Sequence, residues 1–289
     1  MSKFSRDWLK LRESADLAAR DPALARRFAA ALPHGVERPV CLVDLGAGSG
    51  ANCRALLPRI AGNQDWILVE RDPDLIAAQS DEFTLWARRQ GYPILAGGGR
   101  LTISVGESRW TVRNEFIDLA RDFRALEALD ADGVTAAAFF DLVSASWCKQ
   151  FATVLAHWRV PFLAALTVNG QRDWHPPLAE DAQMVAAFGQ HQTRDKGFGP
   201  ALGGAAVRHL ASALAASGFA VTEAASDWRL DTRDHNLIAE LVSGETSAAR
   251  EAGADAALVA NWEARRSDQL ANGRLKLTIG HRDLLALPA

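Results

Sequence analysis

Short apolar runs alternate along this chain with stretches in which apolar residues recur every third or fourth position, the rhythm of strands alternating with helices. Residues 6–32 carry Trp8, Leu9, Leu17, Leu24 and Phe28 at helical spacing, with a break at Asp21-Pro22, where proline suits the first turn of a new helix. VCLVDLG (40–46) is a near-continuous apolar run ending in glycine, which predicts a strand buried on both faces of a parallel sheet. A helix at 49–60, a strand at 66–72 and a helix from Pro73 to about Gln90 follow. The alternating segments LTISV and WTVRNEFIDL, joined by Gly-Glu-Ser at 106–108, predict a hairpin whose second arm enters the sheet. A helix at 120–129, a strand at 137–146, a helix at 149–158 and a strand at 160–168 keep the alternation. Residues 169–204, dense in Gly, Pro, His, Arg, Lys and Asp, break it and predict a long loop acting as a lid. A helix at 203–217, a strand at 219–224, helices near 234–243 and 246–266 and a strand at 274–280 complete the pattern. The expectation is an α/β fold: a helical cap over residues 1–35, then one domain over 36–289 with a lid insertion around 169–204.

Composition narrows the partners. Thirty-two Lys and Arg face 35 Asp and Glu, a formal charge of -3, so no global positive field gathers nucleic acid or an anionic membrane. A small-molecule substrate is expected, with neither nucleic acid nor membrane as partner. Cys41, Cys53 and Cys148 are widely spaced and form no CxxC pair, which supports neither a disulfide framework nor a zinc site. No His, Asp and Glu spacing points to another metal. The first 28 residues are charged throughout, and no apolar run approaches the roughly 20 residues of a membrane span. The expected location is the cytoplasm.

The chemistry concentrates at a strand-to-helix junction. Asp44 lies two residues before Gly46-Ala47-Gly48-Ser49-Gly50; glycines there let backbone approach a ligand closely and leave amides free for it. Glu70 ends the next strand, followed by Arg71, where an acidic group accepts hydrogen bonds from ribose hydroxyls. Glycine spacing alone also satisfies a dinucleotide fingerprint, because Gly46, Gly48 and Ala51 fit its permissive form. Asp44 separates the two readings. A buried carboxylate repels a pyrophosphate and suits a cationic or zwitterionic ligand.

With DLGAGSG and Glu70 in place, the chain resembles the class I S-adenosylmethionine-dependent methyltransferases over most of its length. The resemblance implies a Rossmann-like sheet, mostly parallel, of about seven strands with the last antiparallel. It implies S-adenosyl-L-methionine as cofactor, bound by Asp44, Gly46, Ala47, Gly48 and Gly50 at the methionine part and by Glu70 and Arg71 at the ribose. Asp118, with Leu119, stands where the family keeps an acidic residue beside the adenine, and Ser144 and Ala145 stand at the tip of the fourth strand. The implied activity is methylation of an oxygen, nitrogen or carbon of a small metabolite. A cofactor-binding protein without turnover and a nicotinamide-dependent oxidoreductase are the alternatives.

The acceptor side is drawn from chemistry. Ser144-Ala145-Ser146-Trp147 lacks the D/N-P-P-Y/F/W motif of amino-methylating DNA enzymes, and no Pro-Cys dipeptide stands ready for cytosine. Trp147 could flank a flat substrate. In the expected lid, His191 and then His175 are candidates for a base, since a neutral imidazole accepts a proton without large tuning. Arg172, Arg194 and Lys196 could clamp a carboxylate or phosphate. The segments HQTRDKGFGPALG and SDWRL are similar to those of bacterial methyltransferase-like chains, to which no acceptor attaches.

Overall fold

A computed structural model describes residues 5–33 and 38–289; the expected cap boundary at 35/36 lies outside the described residues. The chain opens with α1 (Arg6–Ala19) and α2 (Pro22–Ala31), capped by the Ser5 and Asp21 side chains, which accept from the backbone amides of Trp8 and Leu24. Then come β1 (Val40–Leu45), α3 (Ala51–Leu56), β2 (Gln64–Glu70) and α4 (Pro73–Gln90). A meander follows, β3 (Ile94–Gly97), β4 (Arg100–Val105) and β5 (Ser108–Phe116). Next are α5 (Phe123–Glu127), β6 (Gly133–Ala137), α6 (Ala145–Trp158), β7 (Phe162–His175) and α7 (Asp181–Gln192). The chain closes with α8 (Ala206–Ala216), β8 (Phe219–Ala225), β9 (Trp228–Leu230), α9 (His235–Glu251), α10 (Ala256–Ala271) and β10 (Lys276–Pro288).

The sheet runs β3-β4-β5-β2-β1-β6-β7-β10-β8, with β9 on β10. Neighbours from β5 to β7 are parallel, and β10 is antiparallel to β7, β8 and β9. Ten strands form it where about seven were expected. The seven belong to the path from β5 to β8; the β3–β4 hairpin and β9 are additions. Strand side chains alternate faces, so Val43 and Leu45 enter a core with α6 and α8 while Leu42, Trp66 and Leu68 enter another with α2 and α4. A third core, around Trp174, Trp228 and Trp262, joins α1, α9 and α10 to the far ends of β7 and β10.

The structure departs from expectation where burial and local pattern conflict. The strand expected at 137–146 ends at Ala137. Ala138 takes a positive φ of 49°, and the apolar residues beyond it are aromatic core: Phe139 and Phe140 pack edge-on against Trp147. The loop expected at 169–204 is largely regular. β7 continues to His175 because β10 supplies a partner, pairing Lys276 with His175 and Leu277 with Trp174, and α7 occupies residues 181–192. Residues 193–202 keep the irregular character, pinned by Ala201 N–H to Thr193 O and Leu202 N–H to Val143 O. The expected break near residue 244 falls instead at Gly253, φ 81°, where the Asp255 side chain caps α10 by accepting from Leu258 N–H at 2.7 Å.

Two adjoining cavities as the candidate functional site

The glycine turn after β1 is held by the strand beside it. Ala47 N–H donates to Val69 O at 3.0 Å, and Glu70 accepts from Gly48 N–H at 2.8 Å through Oε2 and from Arg71 and Asp72 N–H through Oε1. Gly46 and Gly50 have φ of 61° and 84°, and a Cβ on them would lie 2.7 Å from the Phe139 ring and 2.4 Å from the Phe83 ring. Neither a left-handed backbone nor that approach suits another residue.

Asp44 lies beneath this turn with no exposed surface. Oδ1 accepts from Asn52 Nδ2 at 2.6 Å, while Oδ2 has no partner among the described residues. Burial pushes the carboxyl up to about 7, against the opposing effects of the Asn52 hydrogen bond and the nearby Arg20 cation.

Above the turn opens a cavity of about 590 Å³. The glycine turn forms its floor, Glu70 to Asp72 and Ile117 to Leu119 its flanks, and Ala137 to Phe139 its far wall. Its roof is α1 and the residue after it, through Leu9, Arg12, Asp16 and Arg20. Charged tethers hold that roof: Glu13 takes two hydrogen bonds of 2.8 Å from the buried Arg54, and Arg6 binds Glu82 at 2.9 Å. Arg20 makes no hydrogen bond among the described residues, and its Nε is buried without a partner. An arginine stays charged, so the roof presents a half-buried cation to whatever fills the cavity.

A second cavity, of about 470 Å³, adjoins the first, and Arg12, Ala138, Leu142 and Lys196 line both. It lies among α1, α7, α9 and β10, walled by Trp8, Phe188, Trp228 and Leu241. Arg172 reaches it already bonded to Glu245.

These cavities sort the sequence-derived candidates. Gly46, Ala47, Gly48, Glu70, Arg71, Asp118 and Leu119 line the first. Asp118 accepts from Arg71 at 2.9 Å and from Ala120 N–H at 3.1 Å. Asp44 and Gly50 support it from behind. Ser144, Ala145 and Trp147 are on neither wall: the strand ends earlier than expected, Ser144 caps α6, and Trp147 is core, donating its indole N–H to Leu119 O at 3.0 Å. His191, Arg172 and Lys196 line the second cavity; His191 is bonded to Glu251 at 3.1 Å. His175 and Arg194 line neither, His175 being at the exposed end of β7 and Arg194 spent on Glu251. Of the other residues lining the cavities, sequence reasoning does not single out Arg12, Arg20, Asp141 or Glu245, and it reads His281 as structural. Arg12 and Arg20 look like ordinary helix-surface cations until the tertiary fold buries them, and His281 sits in a strand that continues past the expected end at residue 280.

No family model and no curated protein matches this sequence. Solved structures are similar. A cyclopropane-fatty-acyl-phospholipid synthase-like protein from Lactobacillus casei aligns over 99% of this chain and 94% of its own, at 12% identity and a TM-score of 0.51. A cyclopropane synthase from Mycobacterium tuberculosis aligns over 98% and 94%, at 13% identity and TM-score 0.48. A geranyl diphosphate methyltransferase in complex with SAM aligns over 92% and 85%, at 13% identity and TM-score 0.42. Among the described residues no helix is long and apolar enough to cross a membrane. The strand order, the antiparallel β10 and the first of these likenesses together show that this chain has the fold of the class I S-adenosylmethionine-dependent methyltransferases.

Proposed function

We propose that the protein is an S-adenosylmethionine-dependent methyltransferase acting on a small molecule. The observation that carries this reading is the pair of cavities meeting at Arg12, Ala138, Leu142 and Lys196. Methyl transfer needs donor and nucleophile held in line, and positioning supplies most of the rate. The cofactor brings an electrophilic methyl group on a sulfonium.

The residues fit that molecule group by group. The Glu70 carboxylate stands where ribose hydroxyls would donate to it, and the unpartnered Arg20 matches the carboxylate of the methionine part. Asp44, pushed up to about 7 by burial, becomes a favourable carboxylate once a positive charge enters the cavity. Ile117 and Leu119 offer apolar contact to a base, and Asp118 beside them an acceptor for its amino group. Tethered α1 covers part of the cavity, and the lower dielectric beneath it strengthens these interactions.

Calorimetric titration with S-adenosylmethionine and, separately, NADH tests the reading. Micromolar binding of the sulfonium compound is expected, with no heat from NADH. Glu70→Ala removes a charge-assisted acceptor and is expected to weaken binding about 100-fold, and Arg20→Ala about tenfold or more. Binding of NADH by the wild type, or affinity unchanged in both variants, overturns it. Tight binding with no turnover on any metabolite identifies a cofactor-binding protein instead.

A further inference from the structure

The charges around the second cavity are mostly committed to one another. Arg172 is bonded to Glu245 and stacked on Phe188 at 4.0 Å. Arg12 binds both oxygens of Asp16, at 2.9 and 3.0 Å, and lies over the Trp228 ring at 4.8 Å. His191 and Arg194 share Glu251.

Acceptors are left over: Oε2 of Glu245, whose Oε1 accepts from Arg172, and two more in the lining. Oδ1 of Asp141 is buried with no hydrogen-bond partner. Asp141 follows β6, between Ala138 and Leu142, which wall both cavities. The other is on His281, which is 2% exposed. Its Nδ1 lies 3.0 Å from Ile279 O. A carbonyl oxygen only accepts, so the ring proton is on Nδ1 and Nε2 carries a bare lone pair. Nε2 has no partner among the described residues. Burial holds this imidazole down to about 4, so the ring is neutral in ordinary buffers.

Unpartnered acceptors in an apolar chamber cost free energy until a ligand brings donors to them. An anionic ligand would set negative charge against Asp141 and lone pairs against Nε2. A hydroxyl brings one donor. An ammonium brings three, with the charge that compensates a carboxylate. Lys196, which makes no ion pair among the described residues, lines the wall shared by the two cavities, and its charge and that of Arg12 act on Asp141 without donating a hydrogen bond to its Oδ1.

We propose, resting on the methyltransferase reading, that the methyl acceptor is a small amine. Its apolar or aromatic body lies among Trp8, Phe188 and Trp228, and its nitrogen donates to Asp141 and His281. The ammonium first loses a proton to the Asp141 carboxylate. The freed lone pair then forms the N–C bond as the methyl's bond to sulfur breaks, and that electron pair stays on sulfur, leaving a neutral thioether and a methylated ammonium.

The test compares two probes of matched size, 2-phenylethylamine and 3-phenylpropionate, titrated into protein saturated with S-adenosylhomocysteine. Binding is followed by calorimetry and by the fluorescence of the tryptophans lining the cavity. The amine is expected to bind at least about tenfold more tightly than the carboxylate, and Asp141→Asn to weaken the amine about tenfold while S-adenosylhomocysteine affinity stays unchanged. The unchanged affinity shows that the variant is folded. Tighter binding of the carboxylate overturns the proposal, as does an amine affinity unmoved by Asp141→Asn. So does absence of amine binding up to about 10 mM in protein that holds S-adenosylhomocysteine. Failure of S-adenosylhomocysteine itself to bind sinks the cofactor reading and this proposal with it, and is read in the first titration.

Discussion

Asp44→Asn is expected to make the protein more stable than wild type at pH 8, by up to about 4 kcal/mol, with the two nearly equal at pH 4. Asp44 is fully buried, one oxygen served by Asn52 and the other unpartnered. Desolvation raises the carboxyl from 3.8 to about 7 in the folded protein. Between those values the unfolded chain has lost the proton and the folded one keeps it. Stability therefore falls as pH rises, by about 1.4 kcal/mol per unit for this group. It is fully present below pH 4 and lost as pH passes 7. Asparagine keeps the size and the acceptor for Asn52 and cannot ionise. Thermal or denaturant unfolding of both proteins from pH 4 to 8 checks this through the difference between them, in which other groups cancel. Parallel curves across that range would show that Asp44 is ionised throughout. If the cavity takes a sulfonium cation, as proposed, binding draws a proton off Asp44, and affinity rises with pH up to about 7.

The second large effect is expected at Glu245. Its side chain is 0% exposed and that of Arg172, its ion-pair partner, 8%. Burial raises the Glu245 carboxyl, and the Arg172 cation opposes that rise. Removing one member of a buried pair leaves the other desolvated without compensation, which costs about 3–5 kcal/mol. Glu245→Ala is therefore expected to lower the unfolding free energy by that amount, because Arg172 stays anchored on β7 against Phe188. Arg172→Met combined with Glu245→Leu leaves no charge behind and is expected to cost far less than Glu245→Ala alone, since apolar replacement of a buried pair is often neutral. Urea unfolding of wild type, single and double variants measures it. A single-variant cost below about 1 kcal/mol, or a double variant worse than the single, would show that the pair is hydrated. The same experiment bears on the second cavity, because Arg172 could clamp a substrate only by giving up Glu245.

What could be read directly in the sequence was what local chemistry dictates. The run Val40 to Gly46 could only be a buried strand ending in a tight turn, and Pro73 could only open a helix; both stand as expected. The glycine turn and Glu70 were legible because backbone conformation and a strand-end carboxylate are short-range requirements, and the turn lies within a few residues of its own signal. The strand expected at 137–146 was misplaced because Phe139 and Phe140 are apolar for the sake of Trp147, a contact that alternation cannot distinguish from a strand interior.

By itself, then, the sequence determined the alternation of strands and helices, the parallel core, the glycine turn and the carboxylates around it. Each of these depends on neighbours a few positions apart. The tertiary structure alone decided which charges are spent on each other and which remain. Arg172 and Glu245 are 73 residues apart, and Asp141 and His281 meet one cavity from opposite halves of the chain. It also decided that β7 runs on to His175, because a polar strand persists when β10 supplies its hydrogen bonds, and that partner is about 100 residues away in the chain. The roof over the first cavity belongs with these. Arg20 reads as a solvated helix-end cation until long-range packing half-buries it and leaves its Nε with nothing to bind. Burial is a property of the whole fold, and the energy of a charge depends on burial more than on its sequence neighbours.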